Sequence, residues 1–370
     1  MASTWADQHL SNVQPSRWRP ALWSSVIGGG VFLYAAVETN YDTDRIIDNL
    51  RKSRRITTWF QDMSNAVPSD QELARFRRNE LMKSAQGVVN YISSFSSGLQ
   101  RISVMVAEAY ISMPESQRTC LGLVAIQGLI YAAWKVPRFQ GFMIRSFLHY
   151  PLSGRSYTLL TSTFSHPTFT HLAFNSLALF SIGSATHQYF MKSVRTNLDP
   201  DADPSAPSLP ESTSRYHFVA FFLMAGIFAS LVSHTRTITL LKRLPLQNLS
   251  RNTTTTSKVH NLDLVRPSTG ASGAVYAAVV ITALAFPDAS VTTMLFPFVS
   301  FPINYGVMGM VTLDVIGLIR GWRYFDHTAH LGGALFGYLY YIYGCDAFDS
   351  LRLEMEEIEQ NESKSTKTKN

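Results

Sequence analysis

One serine, two histidines and an asparagine have types and spacings that could carry hydrolytic chemistry. Ser272 sits in the string Gly270-Ala271-Ser272-Gly273-Ala274-Val275-Tyr276. Glycines on both sides leave backbone room around its hydroxyl and let a substrate strand approach. A serine hydroxyl becomes a useful nucleophile when an adjacent base takes its proton. His330 is the candidate base, in Asp326-His327-Thr328-Ala329-His330-Leu331-Gly332-Gly333-Ala334-Leu335-Phe336-Gly337. Gly333 and Gly337 form a G-x-x-x-G seam that lets a neighbouring helix come close. Packing that seam against the small-residue ridge of Gly273 and Ala277 would bring His330, about one turn earlier, beside Ser272. His171 and Asn175 are four residues apart and share one helical face. Both can donate hydrogen bonds, so with the amide of Ser272 they could hold a developing oxyanion.

Taken singly, each signal has a plainer explanation. Small residues around Ser272 pack membrane helices, and polar side chains such as His171, Asn175 and His330 glue them together. Their joint occurrence, in order and each near one end of an apolar segment, favours a nucleophile, a base and oxyanion donors. Asp326 lies four residues before His330. It is read first as the N-cap of the last helix, where Asp is favoured, and second as a group orienting His330. Asp314 falls inside an apolar segment, where an uncompensated charge is expensive. It must be paired, protonated or facing water, and a structural polar contact is the first reading. Trp322, Tyr324 and Phe325 are read either as part of a cap over the site or as an interfacial aromatic belt.

The elements that must position these residues are membrane helices. Of the 370 residues, 46% are hydrophobic and only 16% are charged, against roughly 25% charged in an ordinary soluble domain. The mean hydropathy of +0.03 averages very polar tracts with very apolar ones. A spanning helix needs about 20 mostly apolar residues. Seven candidates follow: Ala21 to Val37, Thr119 to Val136, Thr168 to Phe190, His217 to Ser233, Gly270 to Phe286, Ile303 to Ile319 and His327 to Tyr343. This many spans excludes a soluble enzyme. The net charge of +6 is spread over linkers, so no nucleic-acid partner is expected. Cys120 and Cys345 have neither disulfide-framework nor zinc-type spacing, and no metal or cofactor is expected.

The regions outside the spans read as follows. Residues 1–20 form an N-terminal tail with no clear cleavable signal. Residues 21–37 form an extra transmembrane helix. Residues 38–118 are a polar, solvated linker with a possible amphipathic helix on Leu73, Phe76, Leu81, Val88 and Val89. Residues 119–344 are the membrane core, and residues 345–370 an acidic, disordered tail. Asp199 to Ser214 and Leu249 to Lys258 are loops. The glycosylation-pattern matches at Asn248, Asn252 and Asn361 are read as chance.

These residues together resemble a rhomboid protease. The family pattern is H-x-x-x-N in the second core helix, G-x-S-G in the fourth and H-x-x-G-x-x-x-G in the sixth. Here it falls on His171 and Asn175, on Gly270, Ser272 and Gly273, and on His330, Gly333 and Gly337. Tyr276 lies where rhomboids often carry a tyrosine stacked on the catalytic histidine, and His166 where many carry a structural histidine. The string from Gly321 to Gly337 is similar to the mitochondrial, presenilin-associated rhomboid-like branch. The resemblance covers roughly Thr119 to Tyr343. It implies an all-α polytopic membrane bundle, a six-helix core plus one N-terminal transmembrane helix. It further implies a multi-pass protein of the mitochondrial inner membrane. The activity implied is a serine endopeptidase cleaving single-span membrane proteins through a Ser272–His330 dyad and an acyl-enzyme, with the bilayer as its other partner. One departure stands out. Many bacterial members carry Trp-Arg before the second core helix, where this chain has Tyr157 and Thr158. A non-proteolytic, helix-binding relative is the runner-up, and a transporter the third reading.

Overall fold

A computed structural model describes residues 16–57, 68–93, 97–198, 209–243, 267–293, 296–322 and 324–368. The expected loop from Leu249 to Lys258 and the pattern matches at Asn248 and Asn252 lie outside the described residues. So do residues 1–15 of the expected tail and 199–208 of the Pro-rich loop.

Apolar helices make up most of the described chain, and the expected all-α membrane bundle is the fold class observed. The one departure among the described residues is an antiparallel hairpin of Ser290–Thr293 with Phe296–Pro302. Every expected span appears as helix, but not every one as a simple rod. Trp18–Lys52, Arg215–Arg243 and Ile303–Arg320 are long and apolar enough to cross a membrane. Glu115–Trp134 with Pro137–Phe147 makes a fourth if the pair, bent by 96°, counts as one span. The segment expected from Thr168 to Phe190 divides into Phe169–Ala178, a π-helical Leu179–Gly183 and Ser184–Tyr189. The last span is His327–Leu339 followed by a π-helical turn, Tyr340–Gly344. The serine-bearing helix, Ser272–Ala285, has 14 residues.

The chain divides into two compact units. The first comprises residues 1–31, 122–186 and 220–344. Its centre is the serine helix, buried along nearly its whole length. Small side chains permit this, because Ala, Gly and Val let neighbouring backbones approach. Thr186 ties the second core segment to it, with its hydroxyl 2.9 Å from the Ala278 carbonyl and 2.9 Å from Thr282 Oγ1. Phe221 and Phe228 pack against Phe336 on the histidine helix.

The second unit comprises residues 32–121, 187–219 and 345–370, and it corrects two expectations. The stretch expected as a solvated linker is largely helical where described, as Asp70–Ser93, Ser97–Ser112 and the extension of the first helix to Thr57. Leu73 is fully buried against Ile46 and Ile47, with Leu50 and Phe76 alongside. Of the positions expected on the apolar face, Leu73 and Phe76 pack into this core and Val89 is buried, whereas Val88 is exposed. Arg77 bridges Asp42 and Glu115. The tail expected to be disordered is the helix Cys345–Thr368. Phe348 and Arg352 are 2% exposed, with Phe348 stacked on His217 at 3.8 Å between ring centroids. The Arg352 guanidinium donates to Asn40 Oδ1 and to the Pro210 carbonyl, each at 2.9 Å. A buried cation with those partners fixes the helix start in place.

Candidate active site

Three backbone links place the turn that leads into Ser272. His149 and Ser268 pair through both amides, at 3.1 and 3.0 Å. The Gly270 amide donates to the Ser162 carbonyl at 2.9 Å. The Thr269 hydroxyl donates to the Ser165 carbonyl at 2.7 Å. Gly270 adopts φ +112°, and the ring of His171 occupies the space a Cβ would need. Both constraints demand glycine. The helix then starts at Ser272. Amides in a first helical turn have no intrahelical acceptor, so those of Ser272 and Gly273 are free of the helix ladder and suited to an anion.

The histidine helix meets the serine helix through the expected seam. A Cβ on Gly333 would run into the Gly273 carbonyl, and one on Gly337 into the Ala277 carbonyl. A Cβ on Gly273 would strike Ala229 and come within 3.4 Å of the Ala329 carbonyl of the histidine helix. Backbones therefore touch, and His330 Nε2 comes 2.9 Å from Ser272 Oγ. The imidazole ring is only 14% exposed. Tyr276 stacks on it, with centroids 5.3 Å apart and planes at 22°, as the tyrosine position suggests.

Asp314, expected from the sequence to be paired, protonated or facing water, is paired. Its Oδ1 lies 3.1 Å from His330 Nδ1 and 2.6 Å from His327 Nδ1, and its Oδ2 accepts from the Tyr276 hydroxyl at 2.6 Å. Three donors around one carboxylate explain how a charge is tolerated within an apolar segment. With the proton on Nδ1 facing Asp314, Nε2 of His330 carries the lone pair that faces Ser272. That is the tautomer a general base requires. Asp326, the alternative orienting group, acts as the cap instead. Its Oδ1 accepts from the Ala329 amide at 3.0 Å, and its Oδ2 accepts from Ser233 at 2.7 Å and Ser268 at 2.9 Å. Only the spatial meeting of two helices could have revealed Asp314. In sequence its sole signal was a charge inside an apolar run.

His171 and Asn175 lie on the helix Phe169–Ala178, begun by Thr168, whose hydroxyl accepts from the His171 amide at 3.2 Å. Asn175 is buried and uses one amide hydrogen on the His171 carbonyl at 2.9 Å, leaving the other for a ligand. His166 accepts from the Ala271 amide at 3.4 Å, and its ring meets the edge of His171 at 5.0 Å. It thus supports both the serine turn and the His171 ring. Phe325 approaches His330 at 6.1 Å while 67% exposed, and Tyr324 is 91% exposed. Nine of the ten residues singled out in the sequence therefore meet at the start of the serine helix or on the seam behind it, and Asn175 lies one turn beyond His171 on the same helix. Among the described residues, no group of three or more His, Cys, Asp or Glu side chains is arranged to hold a metal ion.

The rhomboid domain model matches residues 153–347, just over half of the chain, and its span contains every one of these residues. The chain belongs to the rhomboid family. Its curated relatives include "Presenilin-associated rhomboid-like protein A, mitochondrial" of Danio rerio, 28% identical over 256 residues, which are 69% of this chain and 55% of the relative. The Mus musculus "Presenilin-associated rhomboid-like protein, mitochondrial" is 29% identical over 234 residues, 63% of this chain and 50% of the relative. "Rhomboid protein 1, mitochondrial" of Saccharomyces cerevisiae is 26% identical over 240 residues, 62% and 54%. The chain spans about half the length of the curated relatives it matches. The branch resemblance carried by Gly321 to Gly337 is thus matched by relatives of that branch.

Proposed function

We propose that this rhomboid is an intramembrane serine endopeptidase that cleaves single-span membrane proteins within or near their transmembrane segment. The observation that carries the reading is the 2.9 Å contact between Ser272 Oγ and His330 Nε2, in a ring pocket that is mostly closed. His330 Nε2 takes the hydroxyl proton as Ser272 Oγ adds to the scissile carbonyl carbon. The resulting oxyanion accepts from the Ser272 amide and from the His171 and Asn175 side chains. His330 then gives the proton to the departing amine, which leaves an ester on Ser272. A water, deprotonated by the same nitrogen, hydrolyses that ester and restores the hydroxyl. A transmembrane helix hides its carbonyls in its own ladder, so the substrate must unwind locally before attack. Gly270 and Gly273 leave room for that strand, and Tyr276, Gly333, Gly337 and His166 hold the reacting pair in register.

The relatives' names support a mitochondrial location, and we assign the protein to the inner membrane as a multi-pass component. The test of the activity is cleavage of single-span reporters by the reconstituted protein, with mass spectrometry of the products. Cut sites within or beside the span are expected. Intact reporters across a set of spans, with folded protein present, would overturn the reading.

Two quantitative expectations attach to the site. Removing one oxyanion donor typically costs about 10²–10³ in rate. His171→Ala and Asn175→Ala are expected to fall in that range and to remain measurably above Ser272→Ala. Equal, complete loss in folded protein would count against the donor role. Asp314 acts as a positioning residue, holding His330 in the productive tautomer. Asp314→Asn is expected to lower kcat by about 10²-fold, the lower end of what acid–base catalysis contributes, with KM changed far less. A parallel rise in KM with unchanged kcat would mean that Asp314 only shapes the substrate path.

A further inference from the structure

The hairpin after the serine helix takes no part in the chemistry above. Its second strand, Phe296–Pro302, carries Phe298 at 99% exposure and Val299 at 56%. A fully exposed phenylalanine next to an exposed valine is unusual for a water-facing turn. The surrounding composition is more so. From Pro267 to Leu313 the chain has a single charged residue, Asp288. Water-facing connections are normally rich in charged and turn-forming residues. The strand also runs straight into Ile303–Arg320, which is long and apolar enough to cross a membrane and exposes Tyr305, Met308 and Leu313. The exposed apolar residues of the strand are therefore followed directly in the chain by those of a helix suited to span a membrane.

The hairpin is held to that helix. Val291 pairs with Phe301, the Ile303 amide donates to the Ala289 carbonyl at 2.9 Å, and a Cβ on Gly306 would sit 3.0 Å from the Phe301 ring. We propose that this strand rests in the membrane interface, with Phe298 and Val299 against lipid. Depth follows from the backbone. A two-stranded hairpin has open edges, and unpaired peptide groups are not tolerated in the hydrocarbon core. At the headgroup boundary the edges remain hydrated while the aromatic ring is covered. This contact stands on the membrane fold and is independent of peptidase chemistry.

A nitroxide attached at Phe298→Cys in full-length protein tests it, in vesicles of phosphatidylcholine and phosphatidylglycerol. The native thiols do not compete. Cys120 and Cys345 are buried, and burial pushes the Cys345 thiol up to about 12. Labels at Leu313→Cys and Glu357→Cys give lipid and water references, both residues being exposed. The ratio of oxygen to nickel-chelate collisions at 298 is expected to be several-fold above that at 357 and below that at 313. A ratio equal to that at 357 places the strand in water and overturns the proposal. A frozen label shielded from both reagents means that protein covers the strand, which overturns it equally. Val299→Cys gives the same reading if the first variant fails to assemble.

Discussion

Ser272→Ala is expected to bring cleavage of a single-span reporter down to background, a loss of about 10⁶-fold by comparison with other serine hydrolases. The argument rests on geometry. Oγ lies 2.9 Å from His330 Nε2, and alanine removes it without adding bulk. Ser272 lies at the first position of its helix, where alanine is an adequate helix former. The fold should survive, as judged by unchanged helical content and an unchanged unfolding midpoint in the same detergent. Cleavage by the folded variant at a rate close to that of the unmodified protein would mean another nucleophile, and the assignment of Ser272 would be wrong. The same variant should also bind substrate normally, since binding uses the surrounding backbone rather than the hydroxyl.

Gly333→Val is expected to damage both stability and activity. The space a Cβ would enter is filled by the Gly273 carbonyl, and backbone cannot swing aside as a flexible side chain can. Overpacking a tight contact typically costs about 1–3 kcal/mol, and a β-branched group on a backbone contact should reach the upper end. The two helices must separate, and a displacement of about 1 Å at reacting atoms costs about 10² in rate. Gly309→Ala is the matched control, because nothing lies within 4 Å of its Cβ position. If Gly333→Val unfolds and cleaves like Gly309→Ala, the seam does not position His330.

The seam was legible in sequence because small residues at four-residue spacing have one structural meaning on a helix, close approach. That spacing marked Gly333 and Gly337, and Gly273 and Ala277, as surfaces for close packing, and packing the two together would bring His330 beside Ser272. Asp314 was not legible. It is 16 residues from His330 and on another helix, so no periodicity connects them, whereas Asp326 sat at a helical spacing that invited comparison. Asp326 is in fact drawn to the free Ala329 amide, a local demand that its short side chain meets.

The second unit misled for a related reason. Interleaved charges in residues 38–118 and an acidic run after Leu351 look solvated when each is read alone. The residues that anchor these segments have partners distant in the chain: Asn40 meets Arg352 across 312 positions, and Arg77 reaches Asp42 and Glu115, while acids such as Glu357 do stay exposed. The hairpin from Ser290 to Pro302, rich in β-branched and aromatic residues, has strand character that lay between two stronger helical signals.

By itself, then, the sequence determined the membrane class, the order of the apolar segments, and the serine, histidine and oxyanion-donor candidates. These depend on composition and on short-range spacing, which the chain carries locally. Tertiary structure alone decided which carboxylate faces His330, which charged segments fold, and where the chain leaves helix for strand. Those outcomes depend on which buried polar groups find partners, and a partner hundreds of residues away is chosen by packing.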